Sequence, residues 1–427
     1  MEIYVVQYGD QIEAIADRYG ITVEKLISDN GLINPYNLVV GQALVILYPK
    51  KTYIVQEGDT LAGIAAANGI SEMVLIRNNP FLYDREFIYP GDSLVISYNT
   101  IRDLEVNGYT NAFIKPDVLT RALPYLTYLS IYNYQLTSDE RGIISHGDDT
   151  AIIQMAKQYD TIPLLMVSAL SPIGEVSIEF VYQILLDNKL QDRLINSIYE
   201  TLKAKEFSGI NLLINYITDY NQGLYLNLFT KLSEKIRSEG YSFMLTISPD
   251  FAVYQNLDYQ KISLLADKII FLQNIWRKRR QPPAPISNIS HIRPFIERVT
   301  NMVSPNFISL GKPLIGYDWI VPFVPGSTAS LLSLSSAIVL AYDQGVEIRL
   351  DEESQTPYFT YYRAIAGTTE GHVVWFIDAR SINAFDNVIL DYNLVGTGIW
   401  NITSYNQQLF SITNATFNII KLPMELK

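Results

Sequence analysis

Cysteine is absent from the 427-residue chain, which rules out a disulfide framework and thiolate catalysis. Histidine is nearly as scarce: His146, His291 and His372 stand far apart, without the spacing a metal site requires. No metal and no cofactor is therefore expected, and no phosphate loop or Ser-His-Asp order offers another chemistry. Nowhere does an apolar run approach the roughly 20 residues that span a bilayer. Met1-Glu2-Ile3-Tyr4 lacks the basic and apolar regions of an export leader, so the sequence predicts cytoplasmic synthesis without a signal peptide. Positive charge is in deficit too. With 32 Lys and Arg against 44 Asp and Glu, the formal net charge is -12, which argues against nucleic acid or an anionic membrane as partner. What is present is apolar: 48% hydrophobic and 18% charged residues mark a folded protein, and the length suggests two or three domains. The 30 tyrosines suit a packed barrel or a sugar-stacking surface.

The chain opens on an internal repeat. Tyr4-Val5-Val6-Gln7-Tyr8-Gly9-Asp10-Gln11-Ile12 recurs 49 residues on as Tyr53-Ile54-Val55-Gln56-Glu57-Gly58-Asp59-Thr60-Leu61. Each copy runs from a strand-like opening through a Gly-Asp turn into a helical pattern, with Asp10 and Asp59 placed as N-caps. Each then passes an Asn, at Asn30 and Asn79, and reaches a Gly and a closing strand, Ala43 to Ile46 and Ser93 to Ile96. This order resembles the LysM domain twice over, at 1–48 and 52–97. The resemblance implies a βααβ fold and binding of N-acetylglucosamine glycans, peptidoglycan or chitin. It implies grooves at Gly9, Asp10, Gln11, Ile12 and Asn30, and at Gly58, Asp59, Thr60, Leu61, Asn79 and Pro80. If the two aspartates cap helices, backbone groups of the loops do the recognising. The first copy departs from the pattern, with Gln11 for Thr and Gly31 for Pro.

A hinge is expected at Ser97-Tyr98-Asn99-Thr100, followed by the alternation of a βα barrel over 101–427. Strands are expected at Leu104 to Tyr109, Leu126 to Tyr134, Ile162 to Ala169, Gly209 to Asn215, Ser242 to Ser248, Lys268 to Asn274, Ile308 to Gly316 and Gly396 to Ile402. Eight strands over this length predict an α/β fold, a (β/α)8 TIM barrel. A small α+β insertion subdomain, about 325–376, lies between the last two strands.

Ser208-Gly209-Ile210-Asn211-Leu212-Leu213-Ile214-Asn215 is the stretch on which function turns. Side chains alternate along a strand, so Asn211, Leu213 and Asn215 share one face, directed to the barrel axis and its C-terminal rim. The stretch resembles the catalytic strand of glycoside hydrolase family 18, the chitinase-like enzymes, in its spore cortex-lytic N-acetylglucosaminidase branch. Val106 to Tyr109, Leu123 to Ile131, Gly316 to Trp319, Pro357 to Phe359, Trp375 to Ser381 and Gly398 to Trp400 extend the resemblance along the barrel. In that branch the strand reads D-G-V-N-I-D-F-E. Gly209 and Asn211 match, whereas Ser208 and Leu213 stand for the two Asp and Asn215 for the Glu. The family's Glu protonates the leaving oxygen and the preceding Asp directs the substrate's acetamido group as nucleophile. An amide has no proton to give near neutral pH, and a leucine cannot orient one. The family's Tyr at the end of strand six is likewise missing, with Leu272-Gln273-Asn274 in its place.

The resemblance implies a cleft at Tyr109, Asn274, Trp276, Tyr317, Asp318 and Trp400, with Trp400 flooring the sugar site. Arg277, Lys278, Arg279 and Arg280 put four cations at its rim, either a solvated face or a clamp for carboxylates. The expectation is a glycan-binding protein with an inactive glycosidase barrel, associated with the spore coat, cortex or cell wall. One alternative is an active N-acetylglucosaminidase using a displaced carboxylate, from Asp219, Glu175, Asp250 or Asp318. A further alternative is a scaffold with spore-coat proteins as partners.

Overall fold

The computed structural model describes residues 1–85, 87–137, 142–169, 178–249, 251, 256–273, 279–365 and 367–422. In the first module, β1 (Glu2–Val5) and β2 (Ala43–Ile46) form an antiparallel pair around helices Ile12–Tyr19 and Val23–Asn30. Sequence sets these limits. Thr22 accepts from the Lys25 amide at the start of the second helix, and Gly20 and Gly31 end the two helices in the left-handed conformation. The second module repeats the plan with β3 (Lys51–Ile54), helices Leu61–Ala67 and Glu72–Asn78, and β4 (Ser93–Ser97).

The barrel begins with β5 (Arg102–Thr110) and β6 (Tyr128–Leu136), and a short β7 (Ile143–Ser145) folds back on β6. It continues through β8 (Ile162–Ser168), β9 (Gly209–Ile214), β10 (Ser242–Ile247), β11 (Lys268–Phe271) and β12 (Ile308–Pro313). The chain then leaves for a separate sheet of β13 (Gly316–Val321), β14 (Ser330–Leu332), β15 (Arg349–Asp351), β16 (Thr356–Ile365) and β17 (Thr368–Trp375). It returns as β18 (Gly396–Trp400), and β19 (Phe417–Ile419) pairs with β5 outside the ring. Because β5 pairs in parallel with both β18 and β6, the eight parallel strands close, as the sequence predicts. The separate sheet starts at Gly316, earlier than the boundary expected near 325. Helix Leu334–Asp343 covers it.

The barrel interior is layered. Tyr128, Ile162, Leu164 and Met244 fill the end where the strands begin. Asn107, Ser130, Asn211 and Thr246, all buried, form a polar middle. Tyr109, Met166, Leu213, Ile270, Leu272 and Trp400 pack into an apolar upper layer. Outward-facing Ile210, Leu212 and Ile214 join the main core beneath the helices.

The expected hinge is packed rather than loose. Tyr98 is buried in the same core as Leu104, together with Val95 of the second module and Ala43, Val45 and Leu47 of the first. Arg77 donates to the carbonyls of Pro124 and Ile419. Gly41 is in the left-handed region, and a Cβ there would lie 1.8 Å from the Ile348 carbonyl oxygen, so only glycine lets the first module seat on the insertion.

Candidate active site and glycan surfaces

Asn211 lies in the barrel's middle layer with both ends of its amide engaged. Its Nδ2 donates to Ser130 Oγ at 2.9 Å and its Oδ1 accepts from Thr246 Oγ1 at 2.8 Å. Ser130 in turn donates to Asn107 Oδ1, and the Tyr109 hydroxyl pairs with Thr246 at 2.7 Å. This polar network lies in a low dielectric, where its bonds fix the Asn211 side chain, while Asn107 Nδ2 has no hydrogen-bond partner among the described residues. Burial drives the Tyr109 phenol up, away from ionisation.

The network ends at the apolar layer above it. Leu213 is 3% exposed and sits among Tyr109, Met166, Ile270, Leu272 and Trp400, so no polar atom at 213 links Asn211 to the rim. Trp400, at the end of β18, is buried. Tyr132 stacks on it at 4.8 Å with 25° between the planes, and Tyr109 lies tilted at 5.1 Å. The partly exposed Tyr132, whose phenol burial pushes to about 12, is therefore the outer ring of the stack.

Asn215 follows β9 and lines a depression of about 470 Å³ with Leu136, Leu185, Tyr216, Tyr225 and Leu228. Its Oδ1 is buried without a hydrogen-bond partner among the described residues, and the side chains lining the depression around it are apolar apart from its two tyrosines. Ser208 lies before β9, where its backbone bonds Pro163 and Ser242. Seven residues at about 3.3 Å each put it roughly 23 Å along the chain from Asn215.

The remaining cleft residues divide. Tyr317 is buried and meets Trp319 edge-on at 5.3 Å, while Trp319 Nε1 donates to the Gln281 carbonyl. Asp318, one residue on and so on the other face of β13, accepts from Tyr361 OH at 2.7 Å and lies 2.9 Å from His372 Nδ1. It serves the inside of the insertion sheet. Asp219 is exposed. Arg279 and Arg280 are exposed, and Arg279 Nε donates to the Ala329 carbonyl. Asn274, Trp276, Arg277 and Lys278, with Glu175 and Asp250, lie outside the described residues.

In the modules, Asp10 and Asp59 are not helix caps. Asp10 Oδ2 accepts from the Gln7 amide and Tyr4 OH, and Asp59 Oδ2 accepts from the Gln56 amide and Tyr53 OH. Each pins its own turn, while Thr60 caps the helix of the second copy by accepting from Gly63. Gln11 precedes the first helix without a side-chain cap bond. Asn30 and Asn79 are buried staples: Asn79 Nδ2 donates to Leu75 and Val95 carbonyls, its Oδ1 accepts from the Val95 amide, and Asn30 repeats this with Leu26 and Val45. Ile12 and Pro80 are buried, whereas Gly9, Gly58 and Thr60 are exposed and Leu61 partly so. The second module also shows Phe87 and Tyr89, 61% and 59% exposed.

Comparison with known proteins agrees with this architecture. The LysM domain model matches residues 4–47 and 53–97, and that of glycosyl hydrolases family 18 matches residues 122–404. The chain belongs to glycosyl hydrolases family 18. It is similar to the cortical fragment-lytic enzyme of Bacillus subtilis (strain 168), 30% identical over 439 residues covering 99% of each chain. The crystal structure of the Bacillus megaterium QM B1551 spore cortex-lytic enzyme SleL superposes with TM-score 0.80 at 27% identity over 99% of each chain. Bacillus cereus SleL gives 0.78 at 27%, over 98% of this chain and 99% of that one. These relatives match from end to end, so this family 18 member shares their modular order. Sequence reasoning missed Tyr132, Met166, Ser130 and Thr246. Alternation on β6, β8 and β10 would have pointed all four inward, but only the packed barrel joins them to Leu213 and Asn211.

Proposed function

We propose that the chain binds N-acetylglucosamine-containing cell-wall glycan, as a spore-associated protein, and that its barrel does not hydrolyse it. The observation that carries this reading is the environment of the catalytic-strand positions. Asn215 stands where the family has its acid, and Leu213, where the acetamido-orienting Asp belongs, is packed among apolar side chains. An amide cannot protonate a leaving oxygen, and removal of an acid-base group or an oriented donor each costs roughly 10²- to 10⁴-fold. Exposed aromatic and loop groups of the second module supply the binding surface, and several weak sites on one chain raise avidity for a polymer. Co-sedimentation with insoluble peptidoglycan tests the binding. The chain should pellet with the polymer, and Tyr89→Ala with Phe87→Ala should weaken this severalfold; a chain that stays in the supernatant contradicts the reading.

A second reading, hydrolysis by a displaced carboxylate, is favoured by the relatives' names, which describe lytic enzymes of the spore cortex. Asp219, exposed four residues beyond Asn215, is the group it would use.

A further inference from the structure

The two modules close on the same turn. In the first, the Val6 amide donates to the Gln42 carbonyl, the Gly41 amide donates to the Val6 carbonyl, and the Gln42 side chain accepts from the Val39 amide. In the second, Val55, Asp92, Gly91 and Tyr89 take these places bond for bond. Gly41 and Gly91 both hold the left-handed conformation, at φ +84° and +96°. Residues 39–41 therefore correspond to 89–91.

In the first module that turn is occupied. The segment leading into β15 runs across it: Ile348 donates its amide to the Val40 carbonyl at 2.9 Å, and its own carbonyl oxygen lies 1.8 Å from where a Cβ on Gly41 would be. Val39 and Ile348 are buried in one cluster with Phe359 and Val374 of the insertion. The turn thus gives a carbonyl to a backbone N–H, admits a second carbonyl over a glycine and covers an aliphatic side chain. In the second module the same turn faces solvent. Tyr89, Phe87 and Ile54, the neighbour of Val55, are each at least half exposed. Pro90 is exposed and its carbonyl accepts from no described residue, and a Cβ on Gly91 would meet nothing within 4 Å. Exposed apolar side chains are ordinary singly, whereas three beside one open backbone acceptor offer the contacts by which an extended peptide is held.

The occupant of the first turn shows what the second accepts: an extended stretch, Val346 to Leu350, with alternating aliphatic side chains and one charge of each sign. We infer that the Tyr89 to Gly91 turn docks an extended aliphatic segment of a partner polypeptide, which gives a backbone N–H to the Pro90 carbonyl and packs a branched side chain on Tyr89. The inference goes beyond the glycan-binding reading and rests on it in one respect: Phe87 and Tyr89 serve both ligands, so segment and glycan exclude each other at this module.

The test uses the full chain and a synthetic peptide of residues 344–352 carrying a diazirine amino acid in place of its Ile, with photolabelled fragments mapped by mass spectrometry. Label is expected on the fragment covering 87–92. Tyr89→Ala and Gly91→Ala should each lower it roughly fivefold or more, and the same peptide with Asp in place of Val and Leu should not label. Excess N-acetylglucosamine trisaccharide should lower the label; label that it leaves unchanged moves the glycan off these aromatics and overturns that part of the glycan-binding reading, not the docking. Equal label from the Asp-bearing peptide, or none at 87–92 from a chain that still pellets with peptidoglycan, overturns the inference and leaves glycan binding standing. Cross-links between chains through 87–92 in the absence of peptide overturn it in favour of a second copy as occupant.

Discussion

Leu213 and Asn79 show how one side chain separates packing from chemistry. Leu213 packs in the apolar layer of Tyr109, Met166, Ile270, Leu272 and Trp400, so an aspartate there would bury a carboxylate among apolar side chains. Leu213→Asp should lower the free energy of unfolding by about 3 kcal/mol or more, read from urea titration; a loss under about 0.5 kcal/mol would mean that the layer admits water. Asn79 holds three backbone partners. Asn79→Ala should destabilise the second module by about 2 to 4 kcal/mol, visible as faster hydrogen exchange in residues 53–97. Unchanged exchange with lost glycan binding would instead assign Asn79 to the ligand.

At the scale of elements, the two modules differ although their sequences repeat. Gly41 and Gly91 occupy equivalent left-handed turns, but a Cβ on Gly41 would collide with Ile348 whereas one on Gly91 meets nothing within 4 Å. Gly91→Ala should cost only the backbone strain, about 1 to 2 kcal/mol. Gly41→Ala should also separate the first module from the insertion, lowering the melting temperature by several degrees more in a calorimetric scan. Equal shifts would mean that the interface yields. The elements themselves were legible: all eight barrel strands fall where hydrophobic runs between helical patterns place them. The capping role of Asp10 and Asp59 was misread because an aspartate before a helix looks the same whether it bonds forward to the helix or back to its own turn. Only the Tyr4 and Tyr53 hydroxyls, six residues upstream, decide between them.

For the molecule as a whole, the sequence shows the order of modules but not their fusion. Tyr98 reads as part of a polar hinge, yet it is buried with Leu47, Val95 and Leu104. Contacts between distant segments, such as Gln408 with Asn30 or Asn414 with Asn78, leave no periodic signal. A chain cut to 101–427 would expose this shared core and should melt well below the full protein, whereas modules on a loose tether would leave its melting temperature unchanged. Fusion also holds the barrel against the second module, through Val95 in the shared core and the Arg77 bonds to Pro124 and Ile419.

Whether cleavage occurs is decided by incubating the protein with spore-cortex and vegetative peptidoglycan and following soluble muropeptides by mass spectrometry, with Asp219→Ala in parallel. The account predicts no muropeptide above the protein-free control while the chain pellets with the glycan. Release by the unmodified protein that Asp219→Ala abolishes would contradict it and identify a relocated acid.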